Sequence, residues 1–174
     1  MRGFAERLQG GHPNSLGDTV AVVEEILANN ELFDEFFNCY FSDDEVVRLR
    51  TSNGMKRICK ANKSLLLPYL DRFLDEISQI DQASTQWTLS QLFEVLVSDM
   101  SAGQIKKATR LMKHNLANHN DWIVLNQTMV TLSQWAKKDE NLKNWIIPQL
   151  QRHSADPRKS VSGRAIKLLN TLDS

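Results

Sequence analysis

At 174 residues, 41% hydrophobic and 24% charged, the chain is long enough to bury one substantial core, and a single domain is the expectation. Its formal net charge of zero speaks against a surface built throughout to neutralise phosphate, yet the charge is uneven: residues 1–43 hold two Lys or Arg against eight Asp or Glu, residues 44–174 nineteen against thirteen. The start MRGFAERLQGGHPNS lacks the apolar run of a secretory signal, and no later stretch reaches the roughly 18–20 apolar residues of a membrane span, so a soluble, cytoplasmic protein without a membrane partner is expected.

Apolar residues recur at a 3.6-residue period almost everywhere, and alternating strand patterns are nearly absent, which predicts an all-α protein. Residues 1–14 read as a flexible, Gly-rich lead-in. A first helix follows from Ser15 to Ala28, capped by Ser15 or Asp18, with Leu16, Val20, Val23, Ile26 and Leu27 on its apolar face. Leu32 to Tyr40 forms an aromatic helix; the next runs from about Asp43 to Lys60, and Ser42 is placed to cap it. Ser64 to Ile77 forms a helix with Pro68 near its start, where proline is tolerated. Further helices are predicted at Gln82 to Val97, Ser101 to Leu116, Asp121 to Lys137, Glu140 to Gln151 and Arg158 to Leu172. Their short links favour antiparallel neighbours.

Four of these helices are copies of one pattern. Val47, Thr51, Gly54, Met55 and Ile58 align with Thr85, Leu89, Leu92, Phe93 and Leu96, then with Val124, Thr128, Thr131, Leu132 and Trp135, then with Val161, Ala165, Leu168, Leu169 and Leu172. The copies are spaced by 38, 39 and 37 residues, a period typical of stacked repeats. The intervening helices repeat as well: Leu66-Leu67-Pro68-Tyr69-Leu70 returns 80 residues later as Ile146-Ile147-Pro148-Gln149-Leu150. With Val47-Arg48 beside a turn aspartate, Asp43 or Asp44, the chain resembles the HEAT repeat family, whose turn aspartate would recur at Asp81, Asp121 and Asp156. That resemblance implies a right-handed α-α superhelix, a solenoid of about four helical hairpins at approximately 31–60, 64–97, 101–138 and 139–172, preceded by one N-terminal helix, all within a single domain at 15–174. Gly54, inside a helix, is expected to mark a close approach of two helices.

The search for catalytic chemistry is short. The chain has no Gly-rich phosphate loop, no His-Glu-x-x-His, no Gly-x-Ser-x-Gly and no Cys/His cluster, and neither a catalytic residue, a cofactor nor a metal is expected. His114 and His119 stand five apart, off one helical face. Cys39 and Cys59 lie outside any Cys-x-x-Cys pair and read as reduced, half-buried thiols. Trp135 and Trp145 lie on apolar faces; Trp87 and Trp122 fall off the repeat frame. Some HEAT-like proteins are alkylpurine DNA glycosylases that use tryptophans and an aspartate, which draws Asp121-Trp122 into view.

Two sets of side chains are candidates for binding. In stacks of the HEAT type the second helices line a concave surface, which here would carry Arg50, Asn53, Arg57, Gln91, Gln127, Gln134, Arg164 and Lys167. The helix SAGQIKKATRLMKHNLAN buries Ile105, Ala108, Met112 and Leu116 and leaves out a basic strip, Lys106, Lys107, Arg110 and Lys113, with no acidic residue in the helix to pair with. The expected function is a non-enzymatic scaffold or adaptor that binds a protein partner on its concave face. Nucleic-acid binding, possible through the basic strip, is the alternative.

Overall fold

The computed structural model describes residues 2–173. Among them ten α-helices form, with short 3-10 turns between several of them and no β-strand. None of the helices is long and apolar enough to cross a membrane. The chain divides into two compact units, Met1–Thr88 and Leu89–Ser174, with the division inside the helix Ala83–Leu96. Met1 and Ser174, ends of the expected segments, lie outside the described residues.

The first unit contains α1 (Phe4–Arg7), α2 (Thr19–Ala28), α3 (Phe33–Asn38), α4 (Glu45–Asn62), α5 (Leu70–Asp75) and the start of α6 (Ala83–Leu96). Its core is aromatic: Phe33, Phe36, Phe37, Tyr40 and Phe73 are buried, and Phe37 meets Phe73 edge-on at 5.0 Å between ring centroids. Edge-on pairs add about 0.5–1.5 kcal/mol to the burial of the rings themselves. The Tyr40 hydroxyl, buried with them, shares a 3.0 Å hydrogen bond with Ser52 Oγ of α4. Gly54 lies where α4 crosses this layer: a Cβ there would stand 2.6 Å from Phe36 Cζ and 3.2 Å from Val23 Cγ2.

The lead-in, over residues 2–14, is tied into this unit. Phe4 and Leu8 are buried, and the Phe4 N–H donates to Glu35 Oε1 at 2.8 Å. Asp18 precedes α2 without capping it by its side chain, because its carboxylate takes the Arg7 guanidinium at 2.6 Å, and Arg7 also grips Glu25 at 2.7 Å. Helix α2 begins at Thr19, buries Val22, Val23 and Ile26 and leaves Val20 exposed, as is Leu16 before it, so the apolar stripe is narrower than expected. The stretch from Ser64 to Ile77 is also not one helix. Pro68 has no N–H to give the Ser64 carbonyl, and the chain passes through 3-10 turns at Lys63–Leu65 and Leu67–Tyr69 before α5 begins.

The second unit holds the rest of α6, then α7 (Ala102–Asn118), α8 (Trp122–Ala136), α9 (Glu140–Ser154) and α10 (Lys159–Leu172). Its starts follow local chemistry. Ser101 and Gln104 close a capping box on α7, Asp121 Oδ1 accepts the N–H groups of Ile123 and Val124 at the start of α8, and Asp139 Oδ1 accepts that of Leu142 in α9. Helix α8 packs on α7, α9 and α10, and α10 packs on α9. The core between them is aliphatic and thioether-rich, with Met112, Leu116, Leu132, Ile146, Leu150 and Val161 buried.

Polar side chains stitch equivalent levels of each unit. In the first, Arg48 Nε donates to Gln82 Oε1, 34 residues on, at 2.7 Å. In the second, Ser90 pairs with Thr128, 38 residues on, Arg158 Nη1 donates to the Asn120 carbonyl, 38 residues back, and His153 Nε2 meets the Leu116 carbonyl at 3.1 Å across 37 residues.

Candidate functional site

The residues expected on a concave face meet different fates. Arg50 is 2% exposed: Nε donates to the Ser15 carbonyl at 3.1 Å, Nη1 to Leu8 at 2.7 Å and Nη2 to His12 at 3.2 Å. Its guanidinium is wrapped by the lead-in loop, and no ligand reaches it. The loop closes over it at Gly17, whose φ of +52° suits glycine and where a Cβ would stand 2.9 Å from Arg50 Cζ. Also on α4, Arg57 is exposed but turned to Asn53 Oδ1 at 2.8 Å.

In the second unit, Gln127 Nε2 donates to Glu94 Oε2 at 3.1 Å and to Thr131 Oγ1 at 3.2 Å, which commits it to the α6–α8 seam. Gln91 lies half-buried in the same unit with its Oε1 covered and without a hydrogen-bond partner among the described residues. Gln134 is exposed and accepts from Lys137 Nζ at 3.3 Å. Arg164 and Lys167 are exposed on α10. Of the eight, only these last two have exposed side chains with no side-chain hydrogen bond or ion pair among the described residues.

The basic strip is different. A groove of about 450 Å³ runs along α7, with Ile105, Lys106, Thr109, Arg110 and Lys113 on one side and Asp139, at the start of α9, among its walls. Among the described residues Lys106, Arg110 and Lys113 form no ion pair. Lys113 places its Nζ 5.0 Å from the centre of the Trp145 ring on α9, a cation–π contact that steadies the ammonium. Lys107 does not line the groove and has an interaction of its own. Three of the four predicted strip residues therefore converge, and Asp139 and Trp145 join them from a helix that the sequence pattern did not connect to the strip.

The remaining candidates are occupied structurally. Asp121 caps α8 with Oδ1, while Trp122 beside it is 49% exposed. His119 Nδ1 accepts the Asp121 N–H at 3.1 Å, and His114 sits exposed beside Asn118. Cys39 and Cys59 are free and buried, and burial pushes the Cys39 thiol up to about 12. Among the described residues no group of three or more His, Cys, Asp or Glu surrounds a common point. Trp87, Trp135 and Trp145 are half-buried, and the Trp135 Nε1 is covered without a partner among the described residues.

No family model, no curated protein and no solved structure matches the chain.

Proposed function

We propose that this chain is a non-enzymatic protein-interaction module, built as a HEAT-like stack of helical pairs, that docks its partner in the α7 groove. The stack is supported by agreement between two independent periods. The sequence copies lie 37 to 39 residues apart, and the hydrogen bonds from Ser90 to Thr128, Arg158 to Asn120 and His153 to Leu116 span 37 or 38. Arginines stitch the turns: Arg48 meets Gln82, and Arg158 meets both the turn aspartate Asp156 and Asn120.

The observation that carries the docking role is the convergence of Lys106, Arg110 and Lys113 on one groove without ion-pair partners. Uncompensated cations on a concave strip raise the local concentration of anionic partners and orient them. The concave-face site loses support because Arg50 and Gln127 are engaged within the protein. The glycosylase reading finds little support either, because Asp121 holds the start of α8.

Random-peptide display against the full chain tests the proposal. Peptides that bind the wild type and lose affinity for a Lys106→Glu, Arg110→Glu, Lys113→Glu triple variant are expected. If no peptide is enriched while a duplex DNA binds with steep salt sensitivity, the module is a nucleic-acid binder instead.

A further inference from the structure

Resting on the protein-interaction reading, we propose that the α7 groove takes an acidic protein segment anchored by one large aliphatic side chain. The groove's lining is divided along the helix. Ala102, Ile105, Lys106, Thr109, Arg110 and Lys113 lie at the three- and four-residue spacings that make one helical face. At 1.5 Å per residue they extend over about 16 Å. Ala102 and Ile105 fall in the first turn of α7, and the three cations in the two turns that follow.

The first turn supplies an apolar surface. Ile105, expected in the buried stripe of α7, is only half-buried and lines the groove, and Ala102 is exposed. Thr109 commits its hydroxyl to the Ile105 carbonyl at 2.7 Å, so it adds little polarity. The stems of Lys106, Arg110 and Lys113 add aliphatic surface while their charged ends stay in water. A leucine-sized side chain laid on this surface releases water in proportion to the apolar area covered. A segment made only of carboxylates would leave Ala102 and Ile105 wet.

The following turns supply the charge. The lining counts three cations and one carboxylate, a surplus of two positive charges. Asp139 is held as the cap of α9, where its Oδ1 accepts the Leu142 N–H at 3.1 Å, and none of the three cations pairs with it. A partner with two or more carboxylates completes that balance, whichever backbone conformation it adopts. A purely apolar partner would strip water from the cations without replacing it. A nucleic-acid strand brings the negative charge but has no aliphatic side chain for the first turn. Only a segment that carries both groups meets both parts of the lining.

The experiment uses short, labelled Asp-rich peptides with one leucine, placed at each position in turn so that no conformation is presupposed. Each is measured on the full chain by fluorescence anisotropy, beside the same peptide with Ser for Leu, the same with Asn for every Asp, and a labelled DNA duplex. The best leucine peptide is expected to bind at least tenfold more tightly than its serine or asparagine counterpart. Ala102→Gln, at an exposed position that a helix-forming residue suits, and Ile105→Thr should each bring the leucine and serine peptides within about threefold of each other. Arg110→Gln should weaken both acidic peptides about fivefold and leave their ratio unchanged. Equal binding of the leucine and serine peptides by the wild type overturns the anchor, and a ratio unmoved by both first-turn variants overturns its place. No binding of any peptide up to millimolar concentration overturns the acidic partner. If display nevertheless enriches peptides without acidic residues, the interaction module survives and only the partner class falls. Tighter, salt-steep binding of the duplex overturns both.

Discussion

The two units reach helical packing by different means, and the clearest contrast is between Pro68 and Pro148. Both follow a pair of large aliphatic residues, yet Pro68 sits in a run of 3-10 turns while Pro148 lies inside the continuous helix Glu140–Ser154. The difference is in what precedes them. Pro148 enters a helix already nucleated at Asp139 and eight residues long, whereas Pro68 follows the end of α4 by only six residues. A helix past its nucleation barrier tolerates one missing hydrogen bond; a helix still trying to start does not. The units differ in composition in the same way. Residues 1–88 carry nine basic and fourteen acidic residues and six of the seven Phe, and residues 89–174 carry twelve basic and seven acidic residues and three of the four Trp. The first unit is held by rings and a buried guanidinium, the second by an aliphatic and thioether-rich core.

The contrast breaks most visibly at Arg50. Arg50→Ala should cost about 3 kcal/mol, because three carbonyls lose their donor in a buried setting. Hydrogen exchange followed by mass spectrometry should show amides 8–18 opening while α7 to α10 keep their protection; equal loss in both units would mean that they unfold as one. Gly54→Ala comes next. The added Cβ meets Phe36 at 2.6 Å, and the strain outweighs the gain in helix propensity, for a net loss of about 2 kcal/mol by denaturant titration. Pro148→Ala should stabilise the second unit by about 1 kcal/mol, and Pro68→Ala should change the first by less than about 0.5 kcal/mol, since there the neighbouring turns are already 3-10.

Smaller effects separate the units by pH and reactivity. Desolvation is the main cause that lowers the His153 pKa below its usual 6.5, opposed by its hydrogen bond to Leu116, with Arg152, Asp156 and Arg158 as the charged neighbours. The unfolded state then binds the proton more readily, so stability is fully present above pH 6.5 and declines as pH falls below it. Thermal midpoints from pH 7 to 5 should fall, and His153→Gln should flatten that fall. Cys39, raised to about 12, should react with a thiol reagent only on the timescale of unfolding.

Much of this was legible in the sequence because it is local. Ser101, Asp121 and Asp139 cap helices within one or two residues of the predicted starts, and the 3.6-residue stripe of Ala108, Met112 and Leu116 is buried. The basic strip was legible for the same reason, as residues left over from that stripe. What was not legible depends on contacts between distant segments. Arg50 looked like a surface residue because its partners are backbone carbonyls, which any loop possesses and no residue type announces. Asp139 joins the groove, and Trp145 meets Lys113, through the packing of the second unit, which periodicity along one helix does not encode.

The hold of Arg50 on the carbonyls of Leu8, His12 and Ser15 has a practical reach. An expression boundary placed after Ser15 would change the chemistry of a helix thirty-five residues away, uncovering a fixed positive charge on α4 beside Asn53 and Arg57. Fragments cut there would bind polyanions more strongly than the intact chain does, and affinity measured on them would belong to the cut.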